Sequence, residues 1–453
     1  MHVDALLSHG QLYSWREVDT YPRDWKKEAN LPATWDLRGR TLEQVRTALR
    51  RLFDRHEPLR TTYHLRDGEP VQRVHADLPM PVDRVDRVIT DYGDPDRTTA
   101  ALVDVAFPMT DSLCWRAVLV TTGGEPMFLS LSFSHLIVDV WSIIELEAQF
   151  KALIETPDAP EPVCLSPREL AGRQREESWQ GRQNSAERYW RRVLADDLTH
   201  QFPTLPLEKT EHRVQATLHS NRLGGLAAQA AKQHGVSAPA VLLGLVAAGL
   251  AEHTGAERVA MSVMSSNRFA AEYQHVVGTL NQLIPVVTTV DHRSTLAEHL
   301  TALHWASAKA YRSSLYDLDR IAAMAEEANA AGEHDCWFNH LFQCWFNYLQ
   351  LDGRPCDAAD ETPAELVWTP VARQYGQPFD VRVTVKGGRT SVALRADPDV
   401  VSAQGITDIL RAVALGAERA ATDPDSTLKD LWSARAEPLA PTLFPPVTPA
   451  PPK

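Results

Sequence analysis

Runs of two different periods take turns along almost the whole chain, and that alternation restricts the fold more than any other property of the sequence. Period-two runs occur at Pro70–Val74, Trp115–Thr121, Met127–His135, Val259–Met264, Ile284–Val290 and Val381–Val392. A pleated strand turns successive side chains to opposite faces, so each run reads as a strand. Between them, Leu42–Asp54 places Leu42, Val45, Leu49, Leu52 and Phe53 at helical spacing, and Val140–Ile154, Ser185–Leu194, Leu223–His234 and Pro239–His253 also read as helices. Strands and helices interleave in both halves, which predicts an α/β or α+β fold with helices covering sheets. At 453 residues the chain is long enough for two or three domains, or for one large pseudo-dimeric architecture.

Proline marks the joints. Four prolines punctuate Thr156–Pro167 (TPDAPEPVCLSP), and composition shifts again near Asp197–Leu207, so residues 156–207 read as the connection between two halves. Glu437–Lys453 carries seven prolines in 17 residues and reads as an extended tail or linker. The expected division is an N-terminal lobe over 1–175, a C-terminal lobe over 176–436 and a tail over 437–453.

Composition removes several function classes. Apolar residues are 44% and charged residues 23%, ordinary for a globular protein. The net charge of −13 would repel a polyanion, so nucleic acid is not an expected partner. The apolar run Ala238–Ala251 has 14 residues; a membrane span needs about 20, so a buried helix is expected and no membrane association. The N-terminus, MHVDALLSHGQ, lacks a signal peptide's basic and apolar regions. The five cysteines, Cys114, Cys164, Cys336, Cys344 and Cys356, form no CxxC pair and no regular Cys/His ligand spacing. These features suit reduced thiols in a cytoplasmic protein without a metal site. A monomer is expected.

The candidate chemistry lies in FLSLSFSHLIVDVWS, Phe128–Ser142. The pleat puts Met127, Leu129, Leu131, Phe133 and His135 on one face and Ser130, Ser132 and Ser134 on the other. His135 thus ends an apolar stripe at the exit of a strand, and Asp139 stands where the next helix starts, a position that favours an N-cap carboxylate. Two readings stay open from these residues alone: a core histidine beside a capping acid, or a functional pair.

Other segments bear on the choice. SHLIVDVWS resembles the HHxxxDGWS signature of condensation domains of nonribosomal peptide synthetases, within the chloramphenicol-acetyltransferase-like superfamily. In the family's order, LSHGQLYSW (Leu7–Trp15) resembles its opening LSxxQxxLW element, RHEPLRTTY (Arg55–Tyr63) its RHExLRTxF motif, and DGEPVQRV (Asp67–Val74) the strand that follows. SAERYWRRVL (Ser185–Leu194), the stretch from His234 to Arg268, and VGTLNQLIPV (Val277–Val286) are similar to the second lobe's opening helix, its helix and strand, and its GxFVNTLPL segment. The resemblance spans about residues 5 to 435.

The resemblance implies two chloramphenicol-acetyltransferase-like lobes forming a V-shaped pseudo-dimer with a central tunnel. Carrier proteins would present the donor and the acceptor on phosphopantetheine arms, with no bound cofactor. The acceptor amine would attack the donor thioester to form an amide, less readily an ester. His135 takes the position of the motif's catalytic histidine, acting as a base or as a hydrogen-bond donor to the tetrahedral intermediate. Asp139 takes the place of the structural ion-pair acid, with Arg268 and Arg60 as candidate partners. Ser134, Val140, Trp141, Ser142 and Asn281 are expected beside the tunnel. Three residues or segments depart from the family pattern: Ser134 stands for the first histidine, Val140 for a glycine, and NQLIP for the FVNT consensus. Two alternatives follow from the same resemblance, a silent module that docks a carrier and recruits a tailoring enzyme, and an acyltransferase using a free amine or alcohol. The sequence contains no adenylation signature and no carrier-protein GGxS segment, so loaded partners are expected from elsewhere.

Overall fold

A computed structural model describes residues 1–195, 213–330, 344–369 and 377–436. The proline-rich tail, Cys336 and the part of the inter-half connection from residue 196 lie outside them. The chain divides into two compact units: Met1–Ser185 with Ser266–Gln282 and Leu315–Asp319, and the remainder.

The first unit has two sheets. Strands β1 (His2–Leu6), β3 (Thr61–Arg66) and β4 (Glu69–His75) form an antiparallel sheet of order β1-β4-β3. Strands β2 (Asn30–Asp36), β5 (Val82–Asp86), β6 (Trp115–Thr122) and β7 (Glu125–Ser134) form a second, of order β2-β7-β6-β5, antiparallel except for the β5–β6 pair. β7 is interior to that sheet and is buried over its last nine residues but one. Its apolar residues Leu129, Leu131 and Phe133 join a core with Val45, Leu49 and Phe53 of helix Leu42–Arg55 and with Leu146, Phe150 and Leu153 of helix Val140–Glu155. Trp35 of β2 stacks on Phe150 with ring centroids 4.8 Å apart. The serine face of β7 is buried too, under helix Asp94–Val103: Thr99 donates to Ser130 Oγ at 2.8 Å, and Thr99 also meets the Thr34 hydroxyl at 2.7 Å. Hydroxyl pairing lets Ser130 and Thr99 tolerate burial between sheet and helix.

The second unit holds one seven-stranded sheet, formed by β8 (Val214–Ser220), β9 (Arg258–Ser265), β10 (Gln282–Thr289), β11 (Cys344–Gln350), β12 (Glu365–Trp368), β13 (Phe379–Lys386) and β14 (Arg389–Ala396) in the order β10-β9-β11-β13-β14-β8-β12. β11 runs parallel to β9 and β13, whereas β14 and β8 pair antiparallel with their neighbours. The run Val381–Val392 is therefore a hairpin and not one strand. Gly387 and Gly388 have φ of 62° and 78°, a left-handed pair that reverses the chain where side chains would be strained. Helix Ala238–Thr254 is buried from Ala240 through Ala251 and packs against helices Leu296–Tyr311 and Ala403–Thr422. Among the described residues no single helix is long and apolar enough to cross a membrane; Leu223–His234 and Ala238–Thr254 pass together but bend by 102° between them.

Candidate active site

β7 ends at Ser134, and the chain then makes a tight turn: Ile137 N donates to Ser134 O at 3.1 Å and Leu136 N to Ser134 Oγ at 3.3 Å. His135 N still donates to Ala29 O at 2.8 Å, so the histidine starts from the sheet's edge of order. Leu136, Ile137 and Val138 are fully buried and anchor the turn, while His135 itself is half-buried. A second tie comes from LSHGQ and LRTTY: Tyr63 Oη donates to Leu136 O at 3.0 Å and receives Gln11 Nε2 at 3.1 Å. The combination displays one imidazole from a turn that the core does not let move.

Asp139 follows as the N-cap of helix Val140–Glu155, accepting Ser142 N at 2.8 Å. A carboxylate there satisfies an orphan helix amide and meets the positive end of the helix dipole. The carboxylate is also buried against Arg268, whose Nη2 lies 2.8 and 2.9 Å from its two oxygens, with only 4% and 8% of the two side chains exposed. Arg268 turns its other terminal nitrogen to backbone, donating from Nη1 to Tyr273 O at 3.0 Å and Val276 O at 2.7 Å. Of the two candidate partners, Arg268 is the one on Asp139. Arg60 ends a short 3-10 turn and donates to His75 O at 2.6 Å, which holds it to β4 instead.

The segment 278–281 completes the site. Gly278 N donates to Ser142 Oγ at 2.9 Å, and Gly278 O lies 2.7 Å from the same hydroxyl. Leu280 N donates to Asp139 Oδ2 at 3.2 Å, and Leu280 O accepts Asn267 Nδ2 at 2.8 Å. Asn267 is fully buried in the left-handed region, with φ of 56°, a conformation in which asparagine is several-fold enriched. From beneath, Gly10 lies so close that a Cβ there would sit 2.3 Å from Thr279 O. Thr279 is thereby held on both sides, and its Oγ1 lies 3.4 Å from His135 Nδ1 and 2.9 Å from Asn281 Oδ1.

The structure thus brings His135, Asp139, Ser142, Arg268 and Asn281 into one bonded cluster. Ser134 is buried and shapes the turn; Val140 and Trp141 are half-buried in the first turn of the helix that Asp139 caps. Arg60 stands apart. The motif RHEPLRT is architectural here: His56 Nε2 meets Gln149 Oε1 at 2.9 Å, and Glu57 pairs with Arg168 at 2.7 Å. Sequence reasoning missed Thr279, Asn267 and Gly10. Only GTLN, lying within a quoted resemblance, hinted at the first. Burial pushes the Cys114 thiol up to about 12 and the Cys344 thiol well above its ordinary value, so neither is a nucleophile at neutral pH. Among the described residues no group of three His, Cys, Asp or Glu side chains could hold a metal ion.

A mixed fold with this histidine turn is of the chloramphenicol-acetyltransferase-like class. The condensation domain that mediates chain release from the enacyloxin polyketide synthase superposes with a TM-score of 0.74 at 19% identity, covering 93% of this chain and 84% of that one. The X-domain in complex with OxyB from teicoplanin biosynthesis superposes with a TM-score of 0.70 at 18% identity, covering 94% and 95%. The family model described as Condensation domain matches residues 2–438, and the chain belongs to that family, whose members are acyltransferases of nonribosomal synthetases. In sequence it is 32% identical over 181 residues to cyclosporin synthetase from Tolypocladium inflatum, which is 37% of this chain and 1% of that protein.

Proposed function

We propose that this chain joins a carrier-protein-bound acyl thioester to an amine acceptor, with His135 as the base. The acceptor nitrogen attacks the thioester carbonyl, the C–N bond forms and the C–S bond breaks. The proton taken from the amine by His135 passes to the leaving phosphopantetheine sulfur. The observation that carries the reading is one half-buried imidazole in the same cluster as a buried aspartate–arginine ion pair in a condensation-family chain. The ion-pair clamp suits support and not proton transfer, because Asp139 spends both oxygens on Arg268, Ser142 and Leu280. Thioesters are activated and amines are strong nucleophiles, so the base contributes a factor and not the whole rate.

The test supplies an acyl-loaded donor carrier and a loaded acceptor carrier and follows amide product by mass spectrometry. Wild type forms product, and His135→Ala lowers turnover by about 10²–10⁴-fold. Unchanged turnover in His135→Ala removes the histidine from the mechanism. Turnover without an acceptor carrier identifies a free amine or alcohol as the acceptor. Carrier binding without product from any donor identifies a docking module that recruits a tailoring enzyme.

A further inference from the structure

We propose that Thr279, backed by Asn281, is a positioning residue that fixes the tautomer of His135 with its proton on Nδ1 and its lone pair on Nε2. The inference rests on the reading of His135 as the base, the role that needs the lone pair on Nε2.

The argument is a count of hydrogens. A threonine hydroxyl has one to give. Thr279 Oγ1 gives it to Asn281 Oδ1 at 2.9 Å, so toward His135 Nδ1, at 3.4 Å, it presents lone pairs. An acceptor facing Nδ1 favours the imidazole that carries its proton there, and the nitrogen left with a lone pair is Nε2. Thr279 is 1% exposed and Asn281 9%, so bulk water does not compete freely for the threonine hydroxyl. The hydroxyl cannot drift away either. Gly278 is bonded to Ser142, Leu280 to Asp139 and Asn267, and Gly10 closes the space under the Thr279 carbonyl.

This gives the Asp139–Arg268 clamp a route to the chemistry that needs no contact with substrate. The carboxylate does not touch the imidazole among its bonds; it holds the loop segment whose threonine does. Where a catalytic triad orients its histidine with a charged carboxylate, here a neutral hydroxyl does so, and the ionic group stands one step behind.

The test reads the tautomer directly. In protein labelled with ¹⁵N-histidine, long-range ¹H–¹⁵N spectra at a pH where the ring is neutral distinguish Nδ1–H from Nε2–H, with His135→Gln assigning the signal. Wild type shows Nδ1–H. Thr279→Val keeps the shape and removes the acceptor, shifting His135 toward Nε2–H and lowering kcat by roughly two- to tenfold, the worth of one neutral hydrogen bond, with KM unchanged. Thr279→Ser restores both readouts. Asn281→Asp, which can only accept at neutral pH, keeps Nδ1–H. An Nε2–H signal in wild type overturns the proposal, because the chain would then run from Asn281 through Thr279 to the ring. So does a Thr279→Val protein whose tautomer and kcat match wild type. If Thr279→Val does not fold, the wild-type, Thr279→Ser and Asn281→Asp tautomers decide. The spectra need no turnover, so loss of the proposed acyl transfer would leave the tautomer result standing by itself.

Discussion

Arg268→Met should open the clamp, and the cost can be worked from the bonds it leaves behind. The substitution removes the guanidinium that bonds both Asp139 oxygens at 2.8 and 2.9 Å. Asp139 keeps three neutral donors, Ser142 N at 2.8 Å, Ser142 Oγ at 2.9 Å and Leu280 N at 3.2 Å, but its charge is left buried without a counter-ion. Removing one partner of a buried ion pair costs about 3–5 kcal/mol. Asp139→Asn is gentler. Asparagine caps a helix as well as aspartate, and the stranded guanidinium still has the carbonyls of Tyr273, Val276 and Gly278 and the Ser142 hydroxyl. Its cost should be about 1.5–3 kcal/mol, the worth of a charge-assisted bond. The double variant buries no net charge and should lose about 2 kcal/mol less than the sum of the singles. Native-state hydrogen exchange at the Ser142 and Leu280 amides, which both end on Asp139, measures this locally. With about 1.4 kcal/mol per tenfold, Arg268→Met should lower their protection between about a hundredfold and several thousandfold. Additive single effects, or an Asp139→Asn variant worse than Arg268→Met, would refute the account of the clamp.

Two further outcomes follow from the same unit. In Gly10→Ala the new Cβ meets Thr279 O at 2.3 Å and Leu280 Cα at 2.8 Å, backbone that cannot step aside, so stability should fall by about 1–3 kcal/mol in urea unfolding, and acyl transfer should fall with it. A wild-type urea midpoint would show that the helix and the 278–281 segment do not meet this closely. Burial holds the His56 imidazole down to about 4 from an ordinary 6.5. A depressed base stays neutral in the native state while the unfolded chain takes up the proton. Its contribution is therefore intact above pH 6.5 and lost as pH falls toward 4, by about 3 kcal/mol in all. His56→Gln should flatten the pH dependence of unfolding across that window, and an unchanged slope would remove His56 as its source.

Local periodicity carried the element map because it is a property of neighbours in sequence. Leu42–Asp54, Leu223–His234 and Trp115–Thr121 lie within a residue of the helices and strand observed, and Asp139 caps the helix it was placed before. Where the reading of one run met turn chemistry, the turn prevailed: Val381–Val392 reads as one alternating run, yet Gly387 and Gly388 fold it into a hairpin. The order of motifs also put Arg268 among the candidate partners of Asp139, where the ion pair is found. What the sequence left open was the contacts made when Ser266–Gln282 returns to the first unit. Arg60 and Arg268 were equal candidates by charge and motif, and only the path of that segment puts one 2.8 Å from Asp139 while His75 O holds the other. Thr279, within the quoted GTLN, had no assigned role for the same reason. A hydroxyl acquires a role from what lies within hydrogen-bond reach, and His135 lies 144 positions away along the chain.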